Sequence, residues 1–556
     1  MDAVGGAGGA GPRRREFLRA AAGAAAGAAA GALFGAALPG CSSRRASIGG
    51  RLHGAAHARG HRLRDRDPLP ACSSRERVPV VIAGAGVAGL SAAWKLARSG
   101  FGEFVLLDVE DAAGGTASSG GNAVSRFPWG AHYVPVPTRD QRALCELLSE
   151  AGVIRGFDAD GRGIPGEEHL CRAPEERVFR DGAWHEGLLE KDEASPEERR
   201  QLARFQAETV ALAARRGSDG LRAFAIPVAR SSRDPDLLAL DRISMARWMA
   251  EHGFDAPRLR WYVEYACRDD FGCLLEGTSA WAGLHYFCSR VAVPGGEGAE
   301  YLTWPEGNGF LVGHLARGLG DRVRTAALVV SVEPGSASAP AVVRWLDCTT
   351  NTVREIEADR VISALPRFSA RRVVAGLDPE EPGFRTSPWL VANLTLRRRP
   401  AETGYPICWD NVLLDSPSLG YVVATHQRDR ARTDTVWTWY RAFCGPDPKA
   451  ERERLLATPW EGIRDMVLDD LLPAHPDLEE CVESVDAWAW GHAMVRPEPG
   501  FLWDGVRERA ALPCGRVHFA AADLGGLPLF EEAQWAGVRA AEEILAALGR
   551  NFESSL

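Results

Sequence analysis

Lysine is nearly absent from this chain: three lysines, Lys95, Lys191 and Lys449, occur among 556 residues. The sequence also has no CxxC pair and no cysteine and histidine cluster at zinc-ligand spacing, so it gives no sign of a metal site. Apart from one stretch near the N-terminus it has no long apolar run, which excludes a protein with several membrane spans. Apolar residues still make up 46% of the chain, which excludes a mostly disordered protein and is enough for two domains with cores of their own.

Charge is distributed unevenly along the chain. Residues 1–77 hold thirteen arginines against five acidic residues, so the net charge of −9 hides an acidic body of −17 from residue 78 onwards. An acidic body is repelled by phosphate backbones, which argues against a nucleic acid as the main partner.

The first 41 residues have the pattern of a targeting segment. Residues 13–19 read Arg-Arg-Arg-Glu-Phe-Leu-Arg, and a weakly apolar run then ends at Leu38-Pro39-Gly40-Cys41. This pattern resembles a twin-arginine (Tat) export signal joined to a lipoprotein cleavage box. It implies a lipidated Cys41 and a periplasmic or cell-envelope protein that crosses the membrane already folded; the alternative is an uncleaved membrane anchor. We exclude 1–41 from fold reasoning and interpret residues 42–77, which lack apolar periodicity, as a flexible basic linker.

Residues 78–108 have the order strand, glycine-rich turn, helix, strand and acid. A short apolar run leads into Gly84-Ala85-Gly86-Val87-Ala88-Gly89, and a second apolar run ends at Asp108. In such a turn Gly84 allows the tight bend, Gly86 lets the backbone approach a pyrophosphate, and Gly89 lets the helix pack on the strand. Asp108 stands where a carboxylate can accept both ribose hydroxyls. The segment therefore predicts a dinucleotide site, with N–H groups of the helix N-terminus facing the phosphates.

A second glycine turn favours FAD over NAD. Six residues after Asp108 come Gly114, Gly115 and Thr116. An acid followed by a Gly-Gly turn resembles the FAD-binding signature of the flavin amine oxidase superfamily, which includes the monoamine-oxidase-like enzymes. The usual third residue of that signature is Arg, so the resemblance implies that Thr116 meets one phosphate through a hydroxyl instead of a charge.

Further blocks carry the same resemblance through residues 80–545, in the superfamily's order. The resemblance implies that the backbone at Val329 meets the adenine, that Asp523 binds the ribityl chain or the pyrophosphate, and that the phrase around Trp129 approaches the isoalloxazine. It also implies an α/β fold in which a Rossmann-like FAD-binding domain is interleaved with an α+β substrate domain. The FAD-binding domain would comprise residues 78–140, 295–370 and 500–548. The substrate domain would comprise residues 141–294 and 371–499.

Aromatic and histidine residues supply candidates for a catalytic pocket in front of the flavin. We expect Trp490 and His492, just before the last FAD block, to line it. His285 and Tyr286, within another aromatic phrase, are further candidates. Aromatic walls suit flat or cationic substrates and keep water away. The alternative is ordinary core packing.

Two adjacent acidic residues, Asp269 and Asp270, stand in a charged phrase between apolar ones. They are candidates for a general base or for a site that binds a cation. The alternative is a salt bridge to Arg268 or a helix cap.

One departure from the superfamily bears on the chemistry. Many members keep a lysine that holds a water at flavin N5, whereas the matching stretch here has Ala392 and Asn393 and no lysine nearby. This difference puts the reaction of reduced flavin with O₂ in doubt more than the oxidation of substrate. The Ser-Gly-Gly-Cys motif used for covalent flavin attachment is also absent, which implies noncovalent FAD.

These observations predict an enzyme, an FAD-dependent oxidoreductase that takes a hydride from the carbon beside nitrogen in an amine-type substrate. A desaturase or isomerase acting on an apolar C–C substrate is the alternative enzyme. A flavin electron-transfer or binding subunit is the alternative of another class. The partners would be a small-molecule substrate, an electron acceptor that is O₂, a quinone or a protein, and a membrane reached through the lipidated Cys41.

Overall fold

The structure is a computed structural model that describes residues 44–65, 68–189, 194–290, 300–427 and 432–556. The chain divides after Gly49, and the residues from Gly50 to Leu556 form one compact unit. The predicted export signal and Cys41 lie outside the described residues. Within the described ranges, no helix combines the length and the apolar character that a membrane span needs.

A parallel sheet of five strands carries the predicted glycine turns. Across the sheet the strands are Val323–Arg324, Phe104–Leu107, Val80–Ala83, Arg360–Ser363 and Val517–Phe519. The two strands that flank the first glycine turn are buried at every residue, as their apolar runs predict for a sheet covered on both faces. Neighbouring strands are parallel, so their carboxyl ends meet at one edge. Gly84 and Asp108 follow adjacent strands at that edge.

A larger mixed sheet stands beside the candidate site. In order across the sheet, its eight strands are Gly49–Gly54, Val482–Val495, Thr386–Leu396, Thr435–Ala442, Tyr421–Val423, Asp410–Leu413, Glu176–Arg180 and Ala183–Glu186. The strand Thr386–Leu396 is buried at every residue and pairs antiparallel with both of its neighbours. The β-branched and aromatic runs of this region therefore form the antiparallel strands that the sequence predicts.

The remaining strands form smaller sheets. A four-stranded sheet has the order Ala327–Glu333, Ala341–Asp347, Thr352–Ala358 and Cys72–Arg77. Two-stranded sheets pair Tyr301–Thr303 with Tyr133–Pro135, Ser119–Gly121 with Arg126–Pro128, and Ile154–Phe157 with Gly163–Pro165.

The helices of the structure match one helical sequence pattern closely and divide another into two helices. In the described ranges they are His57–Asp65, Val87–Arg98, Arg142–Glu150, Pro196–Ala214, Pro235–Ala239, Met245–Glu251, Pro257–Phe271, Ala280–Cys288, Gly309–Leu315, Arg367–Val373, Pro448–Ala457, Trp460–Leu471, Leu478–Cys481, Val506–Ala510, Ala522–Gly525 and Phe530–Ala547. The sequence pattern of residues 196–215 is typical of a helix, and the helix Pro196–Ala214 forms there, with Ser195 and Glu198 closing its first turn as a capping box. The helical pattern over 243–267 is split into two helices, because Gly253 adopts a φ of +63° and Pro257 starts a new helix.

Two glycines let the helix after the first turn pack closely. A Cβ at Gly89 would lie 1.9 Å from the carbonyl oxygen of Gly84, and a Cβ at Gly537 would lie 2.1 Å from the carbonyl oxygen of Ala88. The helix Val87–Arg98 therefore contacts both the parallel sheet and the C-terminal helix through bare backbone. This packing fixes the direction in which its N-terminus points.

The interpretation of residues 42–77 as a flexible linker is wrong for the part that the structure describes. Strand Cys72–Arg77 pairs parallel with Thr352–Ala358, and Arg75 forms a 3.0 Å ion pair with Glu355. The helix His57–Asp65 lies in the same segment. Backbone hydrogen bonds and ion pairs to distant residues hold these elements, so their order needs no apolar periodicity in the sequence. The side chains of the strand Cys72–Arg77 are exposed.

Candidate active site

The two predicted glycine turns lie side by side. Gly86 and Gly114 form a parallel β-bridge, and the N–H of Gly114 donates to the carbonyl oxygen of Ala85 at 2.8 Å. Gly84 adopts a φ of +100°, where a Cβ would meet a backbone carbonyl at 2.8 Å. Apart from the adjacent residues in the chain, the atom nearest to a Cβ at Gly86 would be the Cα of Gly115, at 3.9 Å. The turns thus enclose an open space that is bordered by backbone.

The start of the helix Val87–Arg98 borders the same space. No side chain caps this N-terminus, so its first N–H groups are available to an anion. The carboxylate of Asp108 accepts the N–H of Ala85 at 2.6 Å and that of Glu110 at 2.8 Å. Burial raises the pKa of Asp108, and its oxygens keep lone pairs for further donors. These features fit the pyrophosphate and the ribose of a dinucleotide.

Two more of the predicted cofactor residues lie around the parallel sheet. Val329 is buried in the strand Ala327–Glu333, next to a register irregularity. Asp523 begins the short helix after the last parallel strand, and its carboxylate accepts the N–H of Arg367 at 2.6 Å. Burial raises the pKa of Asp523 to about 6. Their predicted contacts with adenine and with the ribityl chain stay predictions.

A cavity that is partly open to solvent reaches from the second glycine turn into the other half of the molecule. It is bordered by the N-terminus of the helix Phe530–Ala547, by the C-terminal end of the helix Pro257–Phe271 and by the strand Thr386–Leu396. Its lining residues are Thr116, Gly130, Ala131, His132, Tyr133, Pro135, Ile226, Asp269, Asp270, Arg290, Asn308, Trp389, Val391, Tyr440, Trp490, Ala493, Met494, Pro528, Leu529, Phe530 and Glu531.

Three charged side chains stand together in the cavity wall. One terminal nitrogen of Arg290 donates to both carboxylate oxygens of Asp270, at 2.8 Å each. Asp269 has no hydrogen-bond or ion-pair partner among the described residues. Burial and the adjacent charge of Asp270 raise the pKa of Asp269 to about 7. The alternative of a salt bridge to Arg268 is wrong, because Arg268 instead donates to backbone carbonyls of Pro417 and Ser418.

Aromatic rings also line the cavity. The imidazole of His132 stacks on Tyr440 with ring centroids 4.7 Å apart, and burial lowers the pKa of His132 to about 4, so it is neutral at pH 7. Trp490 lines the cavity as expected, and its indole N–H donates to the carbonyl oxygen of Trp129 at 2.6 Å. The ring of Trp129 itself packs in the core against Phe127. The backbone after Trp129, rather than its side chain, reaches the cavity.

His492 lies outside the cavity, although it follows Trp490 by two residues. Trp389 pairs with Trp490 and Ser387 pairs with Met494, so the second strand has two extra residues at this point. Such a bulge turns the side chains after Trp490 away from their expected direction. His492 stacks on Phe368 at 3.9 Å, and burial lowers its pKa to about 3. The expectation that it lines the pocket is therefore wrong.

His285 also packs in the core, as the alternative interpretation had it. Its Nε2 contacts the carbonyl oxygen of Ala225 at 3.0 Å, its ring stacks on Trp281, and burial lowers its pKa to about 3. Tyr286 is absent from the cavity lining, and the guanidinium of Arg290, which does line the cavity, lies 4.3 Å from the centre of the tyrosine ring. Tyr286 thus positions a cavity residue and does not itself line the cavity.

Sequence reasoning missed several lining residues, above all Trp389 and Tyr440. Trp389 and Val391 alternate on one strand, so a period-two pattern was the signal that could have found them. Glu531 lies in the first turn of the C-terminal helix, and burial raises its pKa to about 7. No lysine of the described residues lines the cavity, and Val391 rather than Ala392 faces it.

Comparison with known proteins agrees with this geometry. A family model described as "NAD(P)-binding Rossmann-like domain" matches residues 82–151. Oxidoreductase PigB of Serratia sp. (strain ATCC 39006) is 21% identical over 303 residues, which is 50% of this chain and 42% of that protein. The chain therefore matches less than half the length of this relative.

Solved structures extend the similarity over most of the chain. A double mutant of putrescine oxidase has a TM-score of 0.62 and 18% identity, covering 85% of this chain and 100% of its own. Cyclohexylamine oxidase from Brevibacterium oxydans IH-35A has a TM-score of 0.61 and 17% identity at the same coverage. The CLA-producing fatty acid isomerase from P. acnes has a TM-score of 0.57 and 16% identity, covering 84% and 98%. The chain has a mixed α/β fold with a Rossmann-like domain, in the arrangement of these amine oxidase structures.

Proposed function

We propose that this chain is an FAD-dependent oxidoreductase that oxidises the C–N bond of a cationic amine. One observation carries the proposal: a carboxylate without a partner, Asp269, faces an aromatic-walled cavity that begins at the paired glycine turns. The turns supply a dinucleotide site and the cavity supplies room for a small substrate.

The residues that would hold FAD are those of the two turns and their surroundings. Gly86, Gly114 and the uncapped helix N-terminus would bind the pyrophosphate, and Asp108 would bind the ribose. The flavin supplies the acceptor for a hydride from the substrate. FAD would be noncovalent, because the attachment motif is absent from the sequence. Thr116 joins the cofactor turn to the cavity, since it belongs to the turn and lines the cavity.

The charge of the cavity favours a cation. Asp269, Asp270 and Glu531 line the cavity, whereas Arg290 is its one arginine or lysine among the described residues. Arg290 already balances Asp270. An ammonium group beside Asp269 would relieve the remaining repulsion and favour its charged form. Asp269 could then accept the ammonium proton, which leaves the neutral amine that gives up hydride.

The aromatic wall supports the same substrate class. Trp389, Tyr440 and Trp490 line the same cavity as the acids, and ring faces attract cations as well as excluding water from the reacting carbon. Putrescine oxidase and cyclohexylamine oxidase, two proteins of this fold, are named for amine substrates.

An apolar substrate is the second candidate. Ile226, Val391 and Leu529 also line the cavity, and one structural relative is a fatty acid isomerase. The aromatic and acidic lining of the cavity argues against the third candidate, an electron-transfer subunit, because such a subunit needs no substrate pocket.

The test is anaerobic reduction of purified protein that starts at residue 44. The visible spectrum and the released cofactor come first; protein that binds no FAD would overturn the proposal. Primary amines and diamines are then added, and bleaching of the flavin is expected. Bleaching by a polyene but by no amine would move the assignment to a desaturase, and a shifted double bond without net bleaching would move it to an isomerase. Reoxidation by O₂, a quinone analogue or a protein fraction identifies the acceptor.

We also propose that the chain is exported folded by the Tat route and anchored in the cell envelope through Cys41. The support is the sequence pattern of residues 13–41. Replacing Arg14 and Arg15 with lysine should keep the protein in the cytoplasmic fraction. Cys41→Ala should leave export intact and abolish labelling by radioactive palmitate. Export of the double lysine variant at the normal level would contradict the Tat assignment.

A further inference from the structure

The helix His57–Asp65 and the residues just before it are bonded to the three residues that follow Asp108. The N–H of Ala56 donates to both carboxylate oxygens of Glu110, at 2.8 and 3.0 Å. The guanidinium of Arg59 donates to the carbonyl oxygen of Val109 at 2.8 Å and forms a 2.8 Å ion pair with Asp111. Each residue from 109 to 111 thus has a contact with the N-terminal segment.

The middle residue of these three, Glu110, is also bonded to Asp108 and to Ala326. The N–H of Glu110 donates to Asp108 Oδ1 at 2.8 Å, and the carbonyl oxygen of Glu110 accepts the N–H of Ala326 at 2.8 Å. Arg59 is therefore separated from the ribose-binding carboxylate by one short loop. A loop that is held on both sides keeps the Asp108 carboxylate in one orientation.

Apolar packing joins the helix to the neighbouring strand as well. Leu63 packs in the same cluster as Val109, Val330 and Cys348. The strand Ala327–Glu333 contains Val329, the residue expected at the adenine. The helix therefore contacts both segments that would flank the adenosine half of a dinucleotide.

We propose that the helix His57–Asp65 is a retention element for the adenosine half of the cofactor, with Arg59 as the positioning residue that holds the loop 108–111. The inference rests on the proposed FAD site. When a loop is ordered before binding, ligand binding includes no entropic cost of ordering it. Loss of that order therefore lowers the affinity, although no group that touches the ligand is removed. Burial raises the pKa of Glu110 to about 7, and the N–H of Ala56 and the charge of Arg59 oppose that rise. The segment thus also stabilises an otherwise unfavourable buried acid.

The experiment compares Arg59→Ala with Arg64→Ala in the protein that starts at residue 44. Arg64 is on the same helix, is exposed, and pairs with its neighbour Asp65, so it is a matched control. Apoprotein is titrated with FAD, with ADP and with FMN, and binding is followed by flavin fluorescence or calorimetry. Arg59→Ala is expected to weaken FAD and ADP about tenfold each, as for the loss of one charge-assisted hydrogen bond, and to leave FMN unchanged. Arg64→Ala is expected to match the unmodified protein.

Two results would overturn the inference: equal FAD affinities of the two variants, or an Arg59→Ala loss that is as large for FMN as for ADP. The second result would indicate a general loss of structure. If Arg59→Ala does not fold, Asp111→Asn removes the same ion pair at an exposed position and should show a smaller effect in the same direction. Hydrogen exchange of residues 104–111 in the apoprotein should speed up in Arg59→Ala and in Asp111→Asn. Unmodified protein that binds neither FAD nor ADP would instead contradict the proposed function itself.

Discussion

Arg290 and Asp270 form an ion pair in the wall of the cavity, with one guanidinium nitrogen 2.8 Å from each carboxylate oxygen. Their side chains are 7% and 5% exposed. The adjacent Asp269 faces the same cavity without such a partner. The pair therefore neutralises one acid of the Asp-Asp sequence and leaves the other without an ion-pair partner among the described residues.

Removing one partner of this ion pair should lower the free energy of unfolding. Arg290→Met leaves a buried carboxyl without its cation and should destabilise the protein by about 3–5 kcal/mol. The double variant Arg290→Met with Asp270→Asn removes both charges and should recover a large part of that loss. Urea unfolding of the unmodified protein, of Arg290→Met, of Asp270→Asn and of the double variant measures the effect. A double variant that is as unstable as the sum of both single variants would show that the pair is not coupled.

Asp269 should control the pH dependence of amine oxidation. Its pKa is raised to about 7, so it is protonated below pH 7 and accepts a proton only above it. The rate of flavin bleaching at low amine concentration should therefore rise with pH through about 7. Asp269→Asn should lower that rate and remove this rise, whereas Asp321→Asn, at an exposed residue outside the cavity wall, should keep both. A variant Asp269→Asn with an unchanged pH profile would exclude Asp269 as the base.

Trp490 should matter through its N–H group. Trp490→Phe keeps a ring in the wall but leaves the buried carbonyl oxygen of Trp129 without its donor, at a cost of about 1 kcal/mol or more. Trp488→Phe is the matched control, because the indole nitrogen of Trp488 has no hydrogen-bond partner in the described structure. Thermal unfolding of the two variants should separate them, with the lower Tm for Trp490→Phe. Equal Tm values would show that the bond to Trp129 contributes nothing.

Two glycines of the first turn should respond differently to alanine. A Cβ at Gly89 would lie 1.9 Å from a backbone oxygen, so Gly89→Ala should disturb the fold itself. A Cβ at Gly86 would lie 3.9 Å from the Cα of Gly115, which is ordinary van der Waals contact, so Gly86→Ala should fold normally. It should lose FAD, because the methyl group occupies the space expected for the pyrophosphate. Circular dichroism and FAD titration test this contrast. Normal FAD affinity in Gly86→Ala would place the pyrophosphate elsewhere.

The parallel sheet could be predicted because its signals are local. Val80–Ala83, Gly84 and Asp108 lie within one short stretch, and each needs only its neighbours in sequence to be recognised. The cavity wall could not be predicted in the same way. Asp270 and Arg290 are twenty residues apart, and no pattern in the sequence marks them as partners.

Two errors have physical reasons that are invisible in the sequence. The extra residues after Trp490 bulge the strand, so the alternation that would point His492 to the cavity fails there. The absence of an apolar stripe in residues 42–77 favours a linker, which is wrong for the described part of this segment. Its order comes from contacts such as Arg59 with Asp111 and Arg75 with Glu355, which join residues far apart in the chain.

The most direct test of amine oxidation is a single anaerobic turnover with an amine deuterated at the carbon beside nitrogen. FAD-loaded protein is mixed with the deuterated and with the ordinary amine, and bleaching of the flavin is followed in time. The account predicts bleaching by both, slower for the deuterated amine, because the C–H bond breaks as the hydride leaves. FAD-loaded protein that no amine bleaches would contradict it.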